Sequence, residues 1–153
     1  MFAYLRSIKL EPIEWEYAVG LTGEGSPYIG DVLATAFDAA QAVVVLLTPD
    51  ETVQLDPIFS TGEEDTESKP ARQSRPNVLF EAGMALGRHA TRTILVEIGE
   101  VRPFSAVAGR HAIRLSNDQS ARRALVSRLK AAGCELDLAD GLWSTAGNFS
   151  IEA

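Results

Sequence analysis

The sequence predicts a single α/β domain in which a doubly wound parallel sheet is covered by helices on both faces. Three observations carry that reading. Ala42–Thr48 (Ala-Val-Val-Val-Leu-Leu-Thr) and Thr93–Ile98 (Thr-Ile-Leu-Val-Glu-Ile) are short, β-branched and apolar on both faces, as strands between two helical layers are. Around them lie longer segments whose apolar residues recur at helical spacing, so strands and helices alternate. The 153 residues are the length of one domain, and no internal repeat or second domain is visible in 1–153.

Each element follows from its own pattern. Phe2–Ile8 reads as a short helix with Phe2, Leu5 and Ile8 on one face, and Pro12–Trp15 as a brief strand. Gly20–Gly25 is a glycine-rich turn. Ser26 then supplies an N-cap and Pro27 a first-turn proline for a helix to about Ala40, with Ile29, Val32, Leu33, Ala36 and Phe37 facing the sheet. After the Ala42–Thr48 strand, Pro49–Ser74 is long and polar for a loop without structure and is expected to be mobile. Pro76–His89 reads as a helix, Thr93–Ile98 as a buried strand and His111–Leu115 as a shorter one. A last helix begins at Asn117 or Asp118, carries Ala121, Leu125, Leu129 and Ala132 at helical spacing, and stops at Gly133.

Composition narrows the function. Apolar residues at 46% and charged residues at 23% fit a soluble globular chain. A net charge of −7 argues against nucleic-acid backbones as partners, since such binding needs phosphate neutralisation by Lys and Arg, while a small anionic ligand stays compatible. Asp50–Glu67 holds seven acids and no base, the pattern of a solvated loop. No run approaches the roughly 20 apolar residues of a membrane helix, so no membrane partner is expected. Cys134 is the single cysteine, which leaves no internal disulfide or cysteine-cluster metal site. The opening Met-Phe-Ala-Tyr-Leu-Arg has no signal-peptide character, and a cytoplasmic location is expected. His89 and His111 are too isolated for a metal site or a triad, and Ser26 lacks a nucleophile-elbow context. Serine-hydrolase and metal-dependent chemistry are therefore set aside.

Ligands of open α/β sheets sit beyond the carboxyl ends of the strands, where Trp15–Tyr28, Thr48–Asn77 and Gly99–Gly109 are expected to converge. Glu81 lies there, on the first or second turn of the Pro76 helix. Its neighbours at helical contact distance are Asn77, Val78, Met84 and Ala85, none of them basic, so no local salt bridge explains it. Leu79, Gly83 and Leu86 form the expected buried stripe, with Gly83 and Gly87 admitting close approach to the sheet, which turns Glu81 sideways. The competing explanation is a carboxylate favoured by the positive end of the helix dipole. Trp15 and Tyr28 either stack on a nicotinamide or adenine ring or belong to the core. Asn77 either bonds a ribose or caps the helix. Arg75 meets either a pyrophosphate or the acidic loop. Gly20, Gly23 and Gly25 do not make a dinucleotide fingerprint and read as an ordinary turn.

The run Arg75-Pro-Asn-Val-Leu-Phe-Glu-Ala-Gly-Met-Ala-Leu-Gly-Arg resembles the signature of a bacterial TIR-like (Toll/interleukin receptor-like) nucleotide-binding family, whose members include effectors of cyclic-nucleotide-triggered anti-phage systems. Ala42–Glu51, Arg102-Pro-Phe, Ala108-Gly-Arg and Leu129-Lys-Ala-Ala-Gly are also similar to it, so the likeness spans nearly the whole chain. It implies a flavodoxin-like sheet of order 2-1-3-4-5. It also implies hydrolysis of NAD, as substrate and without further cofactor, to nicotinamide and a linear or cyclic ADP-ribose. Glu81 would be the catalytic carboxylate, with Trp15, Tyr28, Arg75 and Asn77 as candidate substrate contacts and TIR–TIR self-association completing the site. A non-catalytic nucleotide-binding module and a TIR–TIR scaffold are the alternatives.

One part of the resemblance breaks. The family opens with a β-strand and a polar turn before its first helix, whereas Met1 already falls inside what reads as the end of that helix. Losing this central strand leaves backbone groups of its neighbours unpaired. A truncated start is the expectation, with rearranged strands or a second chain as the alternatives, and the lost turn would have contributed to the nucleotide site. Leu138–Ala153 is too short for the sensor domain that some relatives carry.

Overall fold

The computed structural model describes residues 1–62, 64–102 and 109–151. Helices α1 (Phe2–Ser7), α2 (Trp15–Leu21) and α3 (Ile29–Ala39) precede strand β1 (Val43–Leu47). Strands β2 (Glu51–Val53) and β3 (Ala71–Gln73) lead into α4 (Pro76–His89), and β4 (Thr93–Glu97), β5 (Ile113–Arg114) and α5 (Gln119–Ala131) follow. β1, β4 and β5 form a parallel sheet in that spatial order, with Val45 opposite Leu95 and Val96 opposite Ile113. This is the 3-4-5 half of the expected sheet.

Alternation of side chains across the strands builds two cores. On one face Val43, Val45, Leu47 and Leu95 pack against Ala82 and Ala85 of α4 and Phe37 of α3. On the other Ile94, Val96, Ile113 and Leu115 pack against Leu125, Val126 and Leu129 of α5 and Tyr4, Leu5 and Ile8 at the N-terminus. Helices therefore cover both faces, which is why β1 and β4 lack a polar side.

The α4 bounds agree with the sequence reading, helped by Pro76 at the first turn. Its buried stripe does not. Ala82 and Ala85 are the buried residues, with Val78, Leu79 and Leu86 beside them. Gly83 and Gly87 are exposed, and a Cβ added at either would meet nothing within 4 Å, so the alanines rather than the glycines permit close packing. α5 ends as expected: Gly133 has φ +91°, and Cys134 N–H reaches back to Leu129 O at 3.0 Å.

Four other expectations are corrected. Pro12–Trp15 forms no strand; a strand exists by pairing, Pro12 has no N–H to give, and Trp15 opens α2 instead. Ser26 and Pro27 do not start α3, which begins at Ile29 with Tyr28 in the N-cap position and the Tyr28 carbonyl accepting from Val32 N–H at 3.1 Å. Phe2 is exposed, because Tyr4, with its hydroxyl bonded to Arg122 O at 2.8 Å, takes the buried position together with Leu5 and Ile8. Pro49–Ser74 carries structure: β2 and β3 pair as an antiparallel ribbon, and Asp56 and Asp65 cap two single-turn 3₁₀ segments.

Candidate functional site

Helix α4 starts where β1 ends, and side chains fix that junction. Ser74 is fully buried and donates its hydroxyl to Thr48 O at 2.9 Å. Arg72 Nε donates to Pro49 O at 2.9 Å. Both carbonyls follow β1 directly, so the first turns of α4 stand at the carboxyl edge of the sheet, where α/β folds bind ligands. The ribbon lies over the same edge. Arg102 holds it through an ion pair with Glu67 at 3.0 Å and a backbone bond to Arg72 O at 2.7 Å.

Glu81 sits on the second turn of α4 and is half-buried, while Asn77 and Phe80 beside it are exposed. Among the described residues it has neither an ion pair nor a hydrogen-bond partner. Its direction follows from helical phase: Arg88, seven residues on, is almost two full turns later and shares its flank. Arg88 Nη2 contacts Asp38 of α3 at 2.6 Å, and His89 Nε2 meets the same carboxylate at 2.7 Å. The flank bearing Glu81 is thus the one turned toward α3. The site is an accessible carboxylate beside the α3–α4 seam, at the carboxyl end of β1, close to the positive end of α4.

The chain matches the family described as CAP12/Pycsar effector protein, TIR domain, over residues 1–117. It belongs to that family. The match takes in everything from α1 to β5 and includes the Glu81 motif, so the chain is a TIR domain of the bacterial anti-phage effector kind. No curated protein and no solved structure matches it significantly. The parallel sheet with helices on both faces agrees with a TIR-like, flavodoxin-like fold.

Within this TIR domain the sequence-derived residues are only partly gathered. Arg75, Asn77 and Glu81 share the start of α4, and Tyr28 stands at the start of the neighbouring α3. Tyr28 is 76% exposed with its ring over Gly30, and Trp15 is 50% exposed, so neither is a core aromatic. Trp15 lines a different feature, an apolar groove beside β1. Arg75 meets the acidic segment, with Nε 3.6 Å from Asp50 Oδ2. Asn77 is not the cap, since the N-cap position is Arg75 and no side chain bonds there. Part of the expected Gly99–Gly109 wall, and of the Arg102-Pro-Phe and Ala108-Gly-Arg segments, falls on 103–108, outside the described residues.

Two structural residues escaped the sequence reading. Ser74 was legible as a small hydroxyl residue at a strand-to-helix junction, the type that bonds local backbone. Arg122 carried no such signal, being one of several basic residues on an amphipathic helix. No helix among the described residues is long and apolar enough to cross a membrane.

Proposed function

We propose that this TIR domain hydrolyses NAD to nicotinamide and ADP-ribose, or its cyclic form, as its part in anti-phage defence, with Glu81 as the catalytic carboxylate. The observation that supports this most is Glu81 itself: half-buried, without a partner among the described residues, and at the carboxyl edge of the sheet. The chemistry asks for little more. The C–N bond between ribose and nicotinamide breaks with its electron pair going to the pyridinium nitrogen, so a cationic group leaves as a neutral molecule and needs no proton. The ribose C1′ is left with oxocarbenium character, and an adjacent carboxylate stabilises it by charge and by accepting hydrogen bonds from ribose hydroxyls. Water then adds to C1′ and loses its proton to solvent; attack by a group of the same nucleotide gives the cyclic product.

Tyr28 is a candidate to stack on a base and Asn77 to bond a ribose. Arg75 would reach a pyrophosphate by exchanging Asp50 for it. Trp15, at the groove, would contact substrate only from a second subunit or after rearrangement. Exposed apolar side chains on three helices, including Tyr17, Ile29 and Phe80, give area for contacts between copies, in keeping with a site completed by self-association.

The test is incubation of the assembled protein with NAD and detection of nicotinamide. Wild type is expected to release it, and Glu81→Ala and Glu81→Gln to lose at least about 100-fold, the scale of removing a main electrostatic stabiliser. Equal release by wild type and both variants would remove Glu81 from the chemistry. Binding of NAD without turnover would leave a nucleotide-binding module, and neither would leave a scaffold.

A further inference from the structure

Beyond α5 the chain returns to the carboxyl edge of the sheet, and two side chains hold it there. Arg122 donates to the carbonyls of Trp143, Ala146 and Gly147. Asn117, three residues past β5, donates through Nδ2 to Asn148 Oδ1 at 2.9 Å and to Ser150 Oγ at 2.8 Å, and its Oδ1 accepts from Phe149 N–H at 2.9 Å. Phe149 is buried against Tyr4, with ring centroids 5.6 Å apart. These contacts carry the backbone across the exit of β5 and deliver Ile151 to the exits of the other two strands.

Ile151 meets those exits at Gly99 and Pro49, each two residues past the end of its strand, β4 or β1. A Cβ added to Gly99 would stand 2.9 Å from Ile151 Cδ1 and 3.3 Å from Pro49 Cγ, so both side chains close over the space that the missing Cβ leaves. Gly99 has φ +79°, a left-handed conformation that suits glycine. What stands on these residues is the β2–β3 ribbon. β2 begins two residues after Pro49, whose carbonyl accepts from Arg72 Nε of β3 at 2.9 Å. Arg102, three residues after Gly99, donates its N–H to Arg72 O at 2.7 Å and pairs with Glu67 at 3.0 Å. Both attachments of the ribbon therefore start from the spot that Ile151 fills. Between Pro49 and β2 lies Asp50, whose carboxylate faces Arg75 at 3.6 Å.

We propose that Ile151 is a positioning residue for the candidate NAD site, acting through the root of the ribbon rather than by touching substrate. It is 45% exposed, too open for a core residue, and its apolar side chain covers a glycine at the edge where α/β sheets bind ligands. Filling the space over Gly99 keeps Pro49 and the loop after β4 in a fixed relation. That fixes Asp50 beside Arg75, the cation that would exchange Asp50 for a pyrophosphate. Ile151 then controls substrate binding, and the chemistry at C1′ is left to Glu81 on α4. The inference rests on the NAD reading for its substrate and on the packing alone for the brace.

The experiment compares wild type, Ile151→Ala and Ile151→Val in the full chain by two readouts. Amide hydrogen exchange needs no substrate. The Leu55 amide, bonded to Glu67 O at 2.8 Å, and the Arg102 amide report the ribbon, and the Ile98 amide, bonded to Leu47 O at 3.0 Å, reports the sheet. Alanine is expected to speed exchange at Leu55 and Arg102 at least about 10-fold and to leave Ile98 within about 2-fold, while valine stays near wild type. In nicotinamide release, alanine is expected to raise KM for NAD at least about 5-fold with kcat within about 2-fold, and valine to restore it. Unchanged exchange at Leu55 and Arg102 overturns the brace whatever the turnover. Equal acceleration at Ile98 assigns Ile151 to global stability and also overturns it. Faster ribbon exchange with an unchanged KM, or with a loss confined to kcat, overturns the link to substrate binding. A wild type that releases no nicotinamide removes the NAD reading, and the assignment of Ile151 to that site falls with it, while the exchange result still decides the brace.

Discussion

Replacing Arg122 with methionine tests whether a buried cation latches the C-terminal segment to the domain. Arg122 is 2% exposed and has no ion pair among the described residues. Its guanidinium is satisfied by oxygens alone: Nε donates to Asn117 O at 3.3 Å, Nη1 to Trp143 O at 3.2 Å and to Ala146 O, and Nη2 to Gly147 O at 3.0 Å and Asn117 Oδ1 at 3.3 Å. The group also stands 4.8 Å from the Phe149 ring centroid and 5.6 Å from that of Tyr4. Methionine keeps volume and loses all of this. Asn117 is exposed and its acceptors turn to water, which leaves the three segment carbonyls of Trp143, Ala146 and Gly147 as the ones at risk. At about 1–3 kcal/mol for each acceptor left dry, plus about 1 kcal/mol of cation–π contact, the gross loss is about 4–10 kcal/mol. Relief from burying a cation offsets several kcal/mol of it, for a net of about 2–4 kcal/mol. That is a large part of a typical domain's stability and corresponds to a fall in Tm of about 5–15 °C. Urea unfolding followed by circular dichroism measures it, with Arg122→Lys as companion: lysine keeps the charge, loses the fork, and is expected to recover less than half. A methionine variant within about 0.5 kcal/mol of wild type would refute the latch, because the segment would then be held by Phe149 packing alone.

Three further outcomes follow from the same structure. Burial pushes the Tyr4 phenol up to about 12, against a smaller opposing pull from Arg122. Its contribution is therefore fully present below about pH 10 and is lost as pH rises toward 12, up to about 2–3 kcal/mol, a slope in alkaline unfolding midpoints that Tyr4→Phe should abolish. Asp38 is held below the ordinary carboxylate range by the hydrogen bond it accepts from Arg88 and then by the one it accepts from His89, so its contribution is present at neutral pH and lost as pH falls through the depressed value; Asp38→Asn should flatten the acid limb of the urea midpoint slightly. Ser74→Ala removes the hydroxyl donor that ties the α4 entry to Thr48 O and should destabilise by about 1–2 kcal/mol, with lower nicotinamide release than that loss of folded protein explains; unchanged turnover per folded molecule would detach the junction from the site.

What the sequence made legible followed from periodicity. Val43–Leu47 and Thr93–Glu97 stand out because they are apolar on both faces, and α4 because Pro76 marks its start, although its buried stripe proved to be Ala82 and Ala85 rather than the expected one. Pairing has no such local signature. The ribbon of Glu51–Val53 with Ala71–Gln73 joins short polar pieces far apart in sequence, and its strongest fastener is Arg102, beyond α4. Pro12–Trp15 failed for the same reason in reverse, since an extended segment is not a strand until something lies beside it. Glu81 was legible by what surrounds it, four helical neighbours without a base. The direction of its side chain was not, because that depends on which flank of α4 meets α3, a fact carried by Asp38 and Arg88.

The position of Glu81 and the open edge of β1 belong to one mechanical chain. α4 leans on β1 through Ala82 and Ala85, and its first turn is tied by Ser74 to the carbonyl that follows β1, so the carboxylate stands wherever β1 stands. β1 in turn is held in register by β4 along one side, while no strand among the described residues pairs with Val44 and Leu46 along the other. Hydrogen bonding along that second side would fix β1 from both directions and leave α4 less freedom to tilt. A catalytic carboxylate must be held within a fraction of an ångström of its working geometry. It follows that loosening the seat of α4 on β1, as Ala85→Gly would, should lower nicotinamide release through kcat far more than through KM. An unchanged kcat per folded molecule would leave Glu81 free to be catalytic but would remove the link from β1 to its carboxylate.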